Sequence, residues 1–151
     1  MFSSVIIYEA TPDDLDAIVE LEQNCFKNPW DRQSLEHELR MLSWSRTFIA
    51  SMHEAPVGYI TFWTVADEYQ ILKVGVQEQY RRHKIGYQMI EHLKALAQSE
   101  RVVNISLELR VGNTGAKQLY SNCGFSIAGI RRGYYTDTGE DAILMDYLLS
   151  R

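Results

Sequence analysis

Leu107-Glu108-Leu109-Arg110-Val111-Gly112-Asn113, followed by Leu119-Tyr120 and Gly124-Phe125, is the stretch that decides the fold. Val102 to Leu109 carries β-branched and apolar residues that alternate at period two toward its end (Val103, Ile105, Leu107, Leu109), which predicts a strand. Glu108 then stands at that strand's C-terminal end. Asn113 or Thr114 can cap the next segment, where Ala116, Leu119, Tyr120 and Cys123 recur at helical spacing, and Gly124 can supply the stop. An acid, an amide and a phenol are thereby set at the ends of adjoining elements, with Tyr120 on the inner face of a short helix. Two readings fit: half of a catalytic site, or a strand and helix whose tyrosine packs in the core of an ordinary α/β domain.

Upstream lies a second junction of the same kind. Tyr69 to Val76 reads as a strand, Tyr80-Arg81-Arg82-His83-Lys84-Ile85-Gly86 follows as a basic turn, and a long amphipathic helix continues through Met89, Ile90, Leu93, Leu96 and Ala97. Such a turn brings unpaired backbone N–H groups, the positive end of the helix dipole and cationic side chains to one point, an anion site suited to phosphates. The alternative is a solvated basic helix start. Gly75 inside the strand marks a bulge or a close approach by another backbone or a ligand. A bulge there would splay this strand from the Glu108 strand, so that an extended amide-bearing ligand could enter and pair with the free edge. Phosphates at the helix start with amides along the strand describe coenzyme A.

The remaining elements complete an alternating order. Ser4 to Glu9 reads as a strand, and Thr11-Pro12-Asp13-Asp14 as a helix start with a hydroxyl cap, proline at the first position and acids in the first turn. Leu15, Ile18, Val19, Leu21, Cys25 and Phe26 form its apolar stripe. Asn28-Pro29 breaks this helix, and Asp31 or Ser34 begins another carrying Leu35, Leu39 and Leu42. Phe48 to Met52 and Val57 to Val65 flank His53-Glu54-Ala55-Pro56 as a hairpin. The expected order is β-α-α-β-β-β-α-β-α-β-β.

Composition sets the bounds. A chain of 151 residues suits a single domain over 1–151 and buries roughly 70% of its unfolded surface. No apolar run approaches the ~20 residues of a membrane span, and the start shows no leader pattern, so a cytoplasmic location away from membranes is expected. Net charge of −5 argues against a nucleic-acid partner. Cys25 and Cys123 make neither a disulfide framework nor a metal-ligand spacing, and His37, His53, His83 and His92 show no paired-ligand pattern, so no metal is expected.

Taken together, the chain resembles the GNAT-fold N-acetyltransferases, and within them the RimI and Ard-type protein N-terminal acetyltransferases. The resemblance rests on Leu21-Glu22-Gln23 with Cys25-Phe26 and Pro29-Trp30; Val74-Gly75-Val76; Tyr80-Arg81-Arg82 with Ile85-Gly86; Leu107 to Val111 with Asn113; Leu119-Tyr120 with Gly124-Phe125; and Gly133-Tyr134-Tyr135 with Gly139-Glu140-Asp141-Ala142. It implies an α/β fold with a mixed, mostly antiparallel sheet of about seven strands flanked by four helices. Acetyl-CoA is the implied co-substrate, held by Val74, Gly75, Val76, Arg81, Arg82, His83, Lys84, Ile85, Gly86, Tyr87 and Asn113. Glu108 is implied as base, through a water, and Tyr120 as the acid that protonates sulfur. Phe26, Pro29 and Trp30 would face Tyr134 and Tyr135 across a protein N-terminus, with a ribosomal protein starting in alanine the RimI-type acceptor and Ser, Ala or Met termini the Ard-type ones. A homodimer is compatible with this resemblance. Lys84 departs from the family turn, Gln/Arg-x-x-Gly-x-Gly/Ala, at its first glycine; a left-handed backbone there would cost a lysine on the order of 1 kcal/mol. The competing functions are a GNAT that acetylates a small amine such as a polyamine or antibiotic, and a coenzyme A-binding module without catalysis.

Overall fold

Local signals start each helix as their chemistry requires. In the computed structural model, which describes residues 4–149, the Thr11 hydroxyl accepts from the Asp13 N–H and the Asp14 carboxylate from the Thr11 N–H, opening a short 3-10 turn at Pro12 that runs into α1 (Leu15–Cys25). Of the two candidates for the next cap, Asp31 is the one used: its Oδ1 accepts from the Ser34 N–H at 2.8 Å and begins α2 (Arg32–Arg40). The remaining elements are β1 (Ile6–Glu9), β2 (Ser45–Met52), β3 (Ala55–Val65), β4 (Glu68–Val76), α3 (Ile85–Ser99), β5 (Asn104–Arg110), α4 (Thr114–Asn122), β6 (Ser126–Arg131) and β7 (Ala142–Leu148). Their sequence is the expected one.

Several boundaries differ from expectation. The first strand begins at Ile6 rather than Ser4, α2 stops before Leu42, and the fifth strand begins at Asn104 rather than Val102, whose N–H instead bonds back to Ala97 after α3. The β2–β3 turn is tighter than its four-residue signal, because His53 and Glu54 alone make it, both at positive φ (51° and 66°), and Ala55-Pro56 belong to β3.

The seven strands form one sheet in the order β1-β2-β3-β4-β5-β7-β6, in which β4 and β5 are the parallel pair and every other neighbour is antiparallel. Ile85, Met89, Ile90 and Leu93 of α3 and Tyr120 of α4 bury one face against Phe62, Ile105 and Leu107. Leu15, Ile18 and Leu21 of α1 with Leu35 of α2 bury the other against Ile49 and Tyr59.

One irregularity positions the site. Thr61 pairs with Lys73 but Phe62 with Ile71, so Leu72 is an extra residue in β4. Side chains alternate faces along a strand, and one extra residue shifts which residue numbers fall on which face. Before it, Tyr69 and Ile71 point into the α3 core; after it, Val74 and Val76 do. Lys73 and Gly75 are thereby turned to the α1 face, which Glu108 shares, since Ile105, Leu107 and Leu109 on alternate positions of β5 face α3. The bulge expected at Gly75 therefore lies at Leu72. Gly75 sits in regular register opposite Tyr59, and its lack of a side chain serves packing: a Cβ there would come within 3.1 Å of the Cys25 Cβ and 3.2 Å of the Phe26 and Tyr59 rings.

Candidate active site

Parallel pairing of β4 and β5 runs only through Glu68–Asn104, Tyr69–Ile105 and Gln70–Ser106. Beyond that point the strands part, and Val74-Gly75-Val76 and Glu108 lie on the two sides of the opening. On the β3 side the ladder continues to Gly58–Val76, and the Gln77 N–H bonds to the Val57 carbonyl at 2.9 Å. In an antiparallel ladder hydrogen-bonded and non-bonded pairs alternate, so the N–H groups of Val74 and Val76 are aimed away from β3 and into the opening. They are donors waiting for an extended acceptor.

The basic turn joins this edge to α3. Arg81, Arg82, His83 and Lys84 are all exposed, and Arg82 and Lys84 both take positive φ, 70° and 59°. Lys84 is the N-cap of α3 in the left-handed region, as a glycine would be, and makes no side-chain cap bond. The first backbone bond of α3 runs from the Gln88 N–H to the Lys84 carbonyl, which leaves the N–H groups of Ile85, Gly86 and Tyr87 without an acceptor among the described residues. These unpaired donors, backed by the helix dipole, fit phosphate oxygens. Arg81 is partly committed elsewhere: its Nε donates to the Val76 carbonyl at 3.0 Å, tying the turn to the strand end. Ile85 contributes only its backbone, since its side chain is buried in the core. Gly86 permits a close approach, but by Leu119 of α4, whose Cδ2 lies 3.2 Å from where a Cβ would be.

From α4 come Asn113, its N-cap, and Tyr120, its buried residue. The Asn113 Oδ1 caps α4 by accepting from the Ala116 N–H at 3.2 Å, leaving its amide NH2 free to face a ligand. Tyr120 is buried, its ring tilted against Phe125, and its hydroxyl has no hydrogen-bond partner among the described residues. Burial pushes its pKa well above the ordinary phenol value, so it stays a neutral donor.

Glu108 lies on the opposite sheet face. Its neighbours come from β6 and the β6–β7 loop: the Arg131 guanidinium at 3.6 Å, and Tyr135, whose pKa is raised by burial and then by the Glu108 charge. Tyr134 and Tyr135 meet edge to face at 5.2 Å, with the Arg131 guanidinium 5.6 Å over Tyr134 and that of Arg110 4.0 Å over Tyr135. The acidic residues after them hold the loop's shape. Arg110 grips Asp137 with two bonds of 2.9 and 3.0 Å, Glu140 accepts from the Gly112 N–H, and Asp141 from the Gly133 N–H.

Across the face stands the α1–α2 loop. Phe26 packs edge-on against Tyr59 and Trp30 is partly exposed, whereas Pro29 is an exposed loop residue. Beneath them is a group that sequence reasoning misses. Glu22 is completely buried and receives the Tyr59 hydroxyl, the Lys73 ammonium at 2.7 Å and the Trp30 N–H at 2.7 Å. The Lys73 ammonium lies 3.9 Å over the Trp30 ring and 5.1 Å over Phe26. Desolvation lowers the Lys73 pKa, against the opposing pull of Glu22 and Glu38. The one available signal is a glutamate on the apolar stripe of α1, next to Leu21 and a helical turn after Ile18.

Comparison with known proteins gives the arrangement its relatives. The acetyltransferase (GNAT) family pattern matches residues 15–125. The [ribosomal protein bS18]-alanine N-acetyltransferase of Escherichia coli (strain K12) is 32% identical over 136 residues, 87% of this chain and 89% of that one. A crystal structure of the ribosomal-protein-S18-alanine N-acetyltransferase from Escherichia coli superposes with a TM-score of 0.89 at 29% identity, covering 98% of this chain and 96% of that one. Ard1 from Thermoplasma volcanium shares the fold, with a TM-score of 0.84 at 22% identity over 97% of this chain and 99% of that one. The chain belongs to the GNAT family and is an N-acetyltransferase that uses acetyl-CoA.

Proposed function

We propose that the acceptor is the N-terminal α-amine of a protein, with a ribosomal protein beginning in alanine as the RimI-type substrate, acetylated in the cytoplasm by a single domain spanning the chain. The observation that carries this is the near full-length similarity to the Escherichia coli enzyme named for alanine acetylation of bS18, together with an acceptor face walled by Phe26-Trp30 and Tyr134-Tyr135. No helix among the described residues is long and apolar enough to cross a membrane.

The chemistry favours an α-amine. Its reference pKa is about 8, against about 10.4 for a lysine, so making the neutral nucleophile from lysine costs roughly 3 kcal/mol more near neutrality. A carboxylate acting through a water suffices for the easier case. Glu108, on the acceptor face at the mouth of the opening, is the base in this reading; through a water it passes the ammonium proton to solvent before the amine adds to the thioester carbonyl, and it takes the second nitrogen proton as the tetrahedral intermediate collapses. The Val76 N–H points into the opening and stabilises the oxyanion. As the C–S bond breaks, Tyr120 donates to the departing sulfur. A buried phenol is a weak acid, so its contribution begins as a hydrogen bond to the developing thiolate and ends with a proton replaced from solvent.

Acetyl-CoA brings the activated acetyl group. Its phosphates fit the free N–H groups of 85–87 with Arg82 and Lys84, and its amides and thioester carbonyl share the β4 edge that carries the Val74 and Val76 N–H groups. Transfer is direct: burial, reinforced by Glu91, pushes the Cys123 thiol up to about 11, leaving almost no thiolate near neutrality.

The test is mass spectrometry of peptides with Ala, Ser, Met and Gly termini, plus spermidine, incubated with acetyl-CoA and wild-type protein. Acetylation confined to α-amines is the expected result. Acetylation of spermidine alone would overturn it in favour of a small-amine enzyme.

A further inference from the structure

The buried Glu22 cluster takes no part in the chemistry above, and stability does not explain it. Burying an ion pair gains little over apolar residues of the same volume, because desolvation of both charges offsets their attraction. What the cluster does have is reach. Glu22 lies on the inner face of α1, Tyr59 on β3, Lys73 on β4 one residue past the bulge, and the Trp30 N–H in the loop between α1 and α2. One carboxylate thus joins three elements and the loop.

The geometry is also directional. Both Glu22 oxygens are used: Oε1 accepts from Tyr59, and Oε2 from both Lys73 and Trp30. Lys73, held from below by Oε2, presents its ammonium to the underside of the Trp30 ring, so the loop is fixed by its backbone and by its side chain through the same carboxylate. Its other attachments include the Phe26 N–H to the Glu22 carbonyl, the packing of Phe26 against Tyr59 and over Gly75, and an exposed Arg32–Asp16 pair at its far end.

We infer that Glu22 and Lys73 are a positioning pair for the acceptor: they hold the Phe26–Trp30 wall against the open end of β4 and so set acceptor affinity, acting through the loop without touching the reacting atoms. The inference rests on the reading of that wall as the acceptor side. It assigns the pair to the acceptor alone, because the Glu22 and Lys73 side chains lie on the α1 face of the sheet, whereas the Val74 and Val76 N–H groups point along the sheet into the opening and those of 85–87 stand at the start of α3.

The experiment measures steady-state kinetics for Lys73→Met, Glu22→Gln and the double variant, with an alanine-terminated peptide and acetyl-CoA varied in turn. Each single change leaves one buried partner uncompensated. The peptide KM should rise about tenfold with a much smaller fall in kcat, and the acetyl-CoA KM should stay within about twofold. The double variant should recover thermal stability, since both charges are gone, yet keep the raised peptide KM. A structural role alone predicts otherwise: the peptide KM returning with stability in the double variant, or both KM values moving together, would overturn the inference. If Glu22→Gln does not fold, Lys73→Met decides by the same criteria. Hydrogen exchange at the Trp30 amide supplies a readout independent of the acceptor. Faster exchange in Glu22→Gln is expected, and unchanged exchange refutes the tether. Faster exchange in Glu22→Gln, with no peptide acetylated by the wild-type protein, would remove the acceptor reading and leave the tether standing.

Discussion

The two sides of the β4–β5 opening are built by different means. The proposed cofactor side presents backbone: N–H groups of Val74 and Val76 on a strand edge and of Ile85, Gly86 and Tyr87 at a helix start, with exposed cations around them. The proposed acceptor side presents side chains drawn from distant parts of the chain. Glu22 reaches Tyr59 and Lys73, Arg110 grips Asp137, and Arg131 faces Glu108. Backbone donors recognise a constant ligand whatever residues carry them. The loops that these contacts hold, with Trp30 on one and Tyr134 and Tyr135 on the other, can change without disturbing the sheet, which suits a surface that selects among proteins.

Substitutions at the junction of the two sides should have the largest effects. Glu108→Gln removes the proposed base and should lower kcat by about 10²- to 10³-fold while acetyl-CoA binding, followed by calorimetry, is unchanged. Tyr120→Phe should cost roughly 10²-fold in kcat with little change in melting temperature, because the hydroxyl has no protein partner to lose. If it instead lowered stability, the hydroxyl would be holding the fold rather than awaiting the departing sulfur, and the contrast between faces would weaken.

Gly75→Ala tests the wall from beneath. The added methyl meets Cys25, Phe26 and Tyr59 together, so a loss of about 1–3 kcal/mol in denaturant unfolding is expected, along with a raised peptide KM. Smallest is Lys84→Gly, which sharpens the cofactor side. Relief of the left-handed backbone is largely offset by greater freedom of the unfolded chain, so stability should shift by less than about 1 kcal/mol. The acetyl-CoA KM should rise a fewfold at low salt, and that difference should shrink as salt is added.

The same contrast decides how much can be read in advance. Element order and the cofactor side follow from local patterns: the alternation in β5, the caps at Thr11 and Asp31, the basic turn before α3, and Gly124, which takes the left-handed φ of 90° expected of a stop. Glu108 and Tyr120 can be proposed from the sequence because each stands near the end of an element. The Glu22 cluster is not, since its partners are 8, 37 and 51 residues away and no spacing rule connects them. Gly75 signals that something approaches the strand, but a glycine cannot say whether the visitor is a ligand or the protein's own Phe26. The bulge is invisible for a related reason: Leu72 looks like any strand residue, and only its pairing across β3 reveals it as the extra one.

That extra leucine works as a frameshift in space. Upstream of it β4 sends odd-numbered residues to the core, downstream even-numbered ones, while the opposing stretch of β3 keeps a single count. Were all nine residues of β4 evenly pleated, Lys73 would be driven into the oily interior and Val74 and Val76 onto the acceptor face. The miscount also falls just past Gln70, the last residue of β4 that pairs with β5, where a zipper would need a stop to stay half open. One inserted codon can thus set both the depth of a cleft and the parity of the strand that lines it.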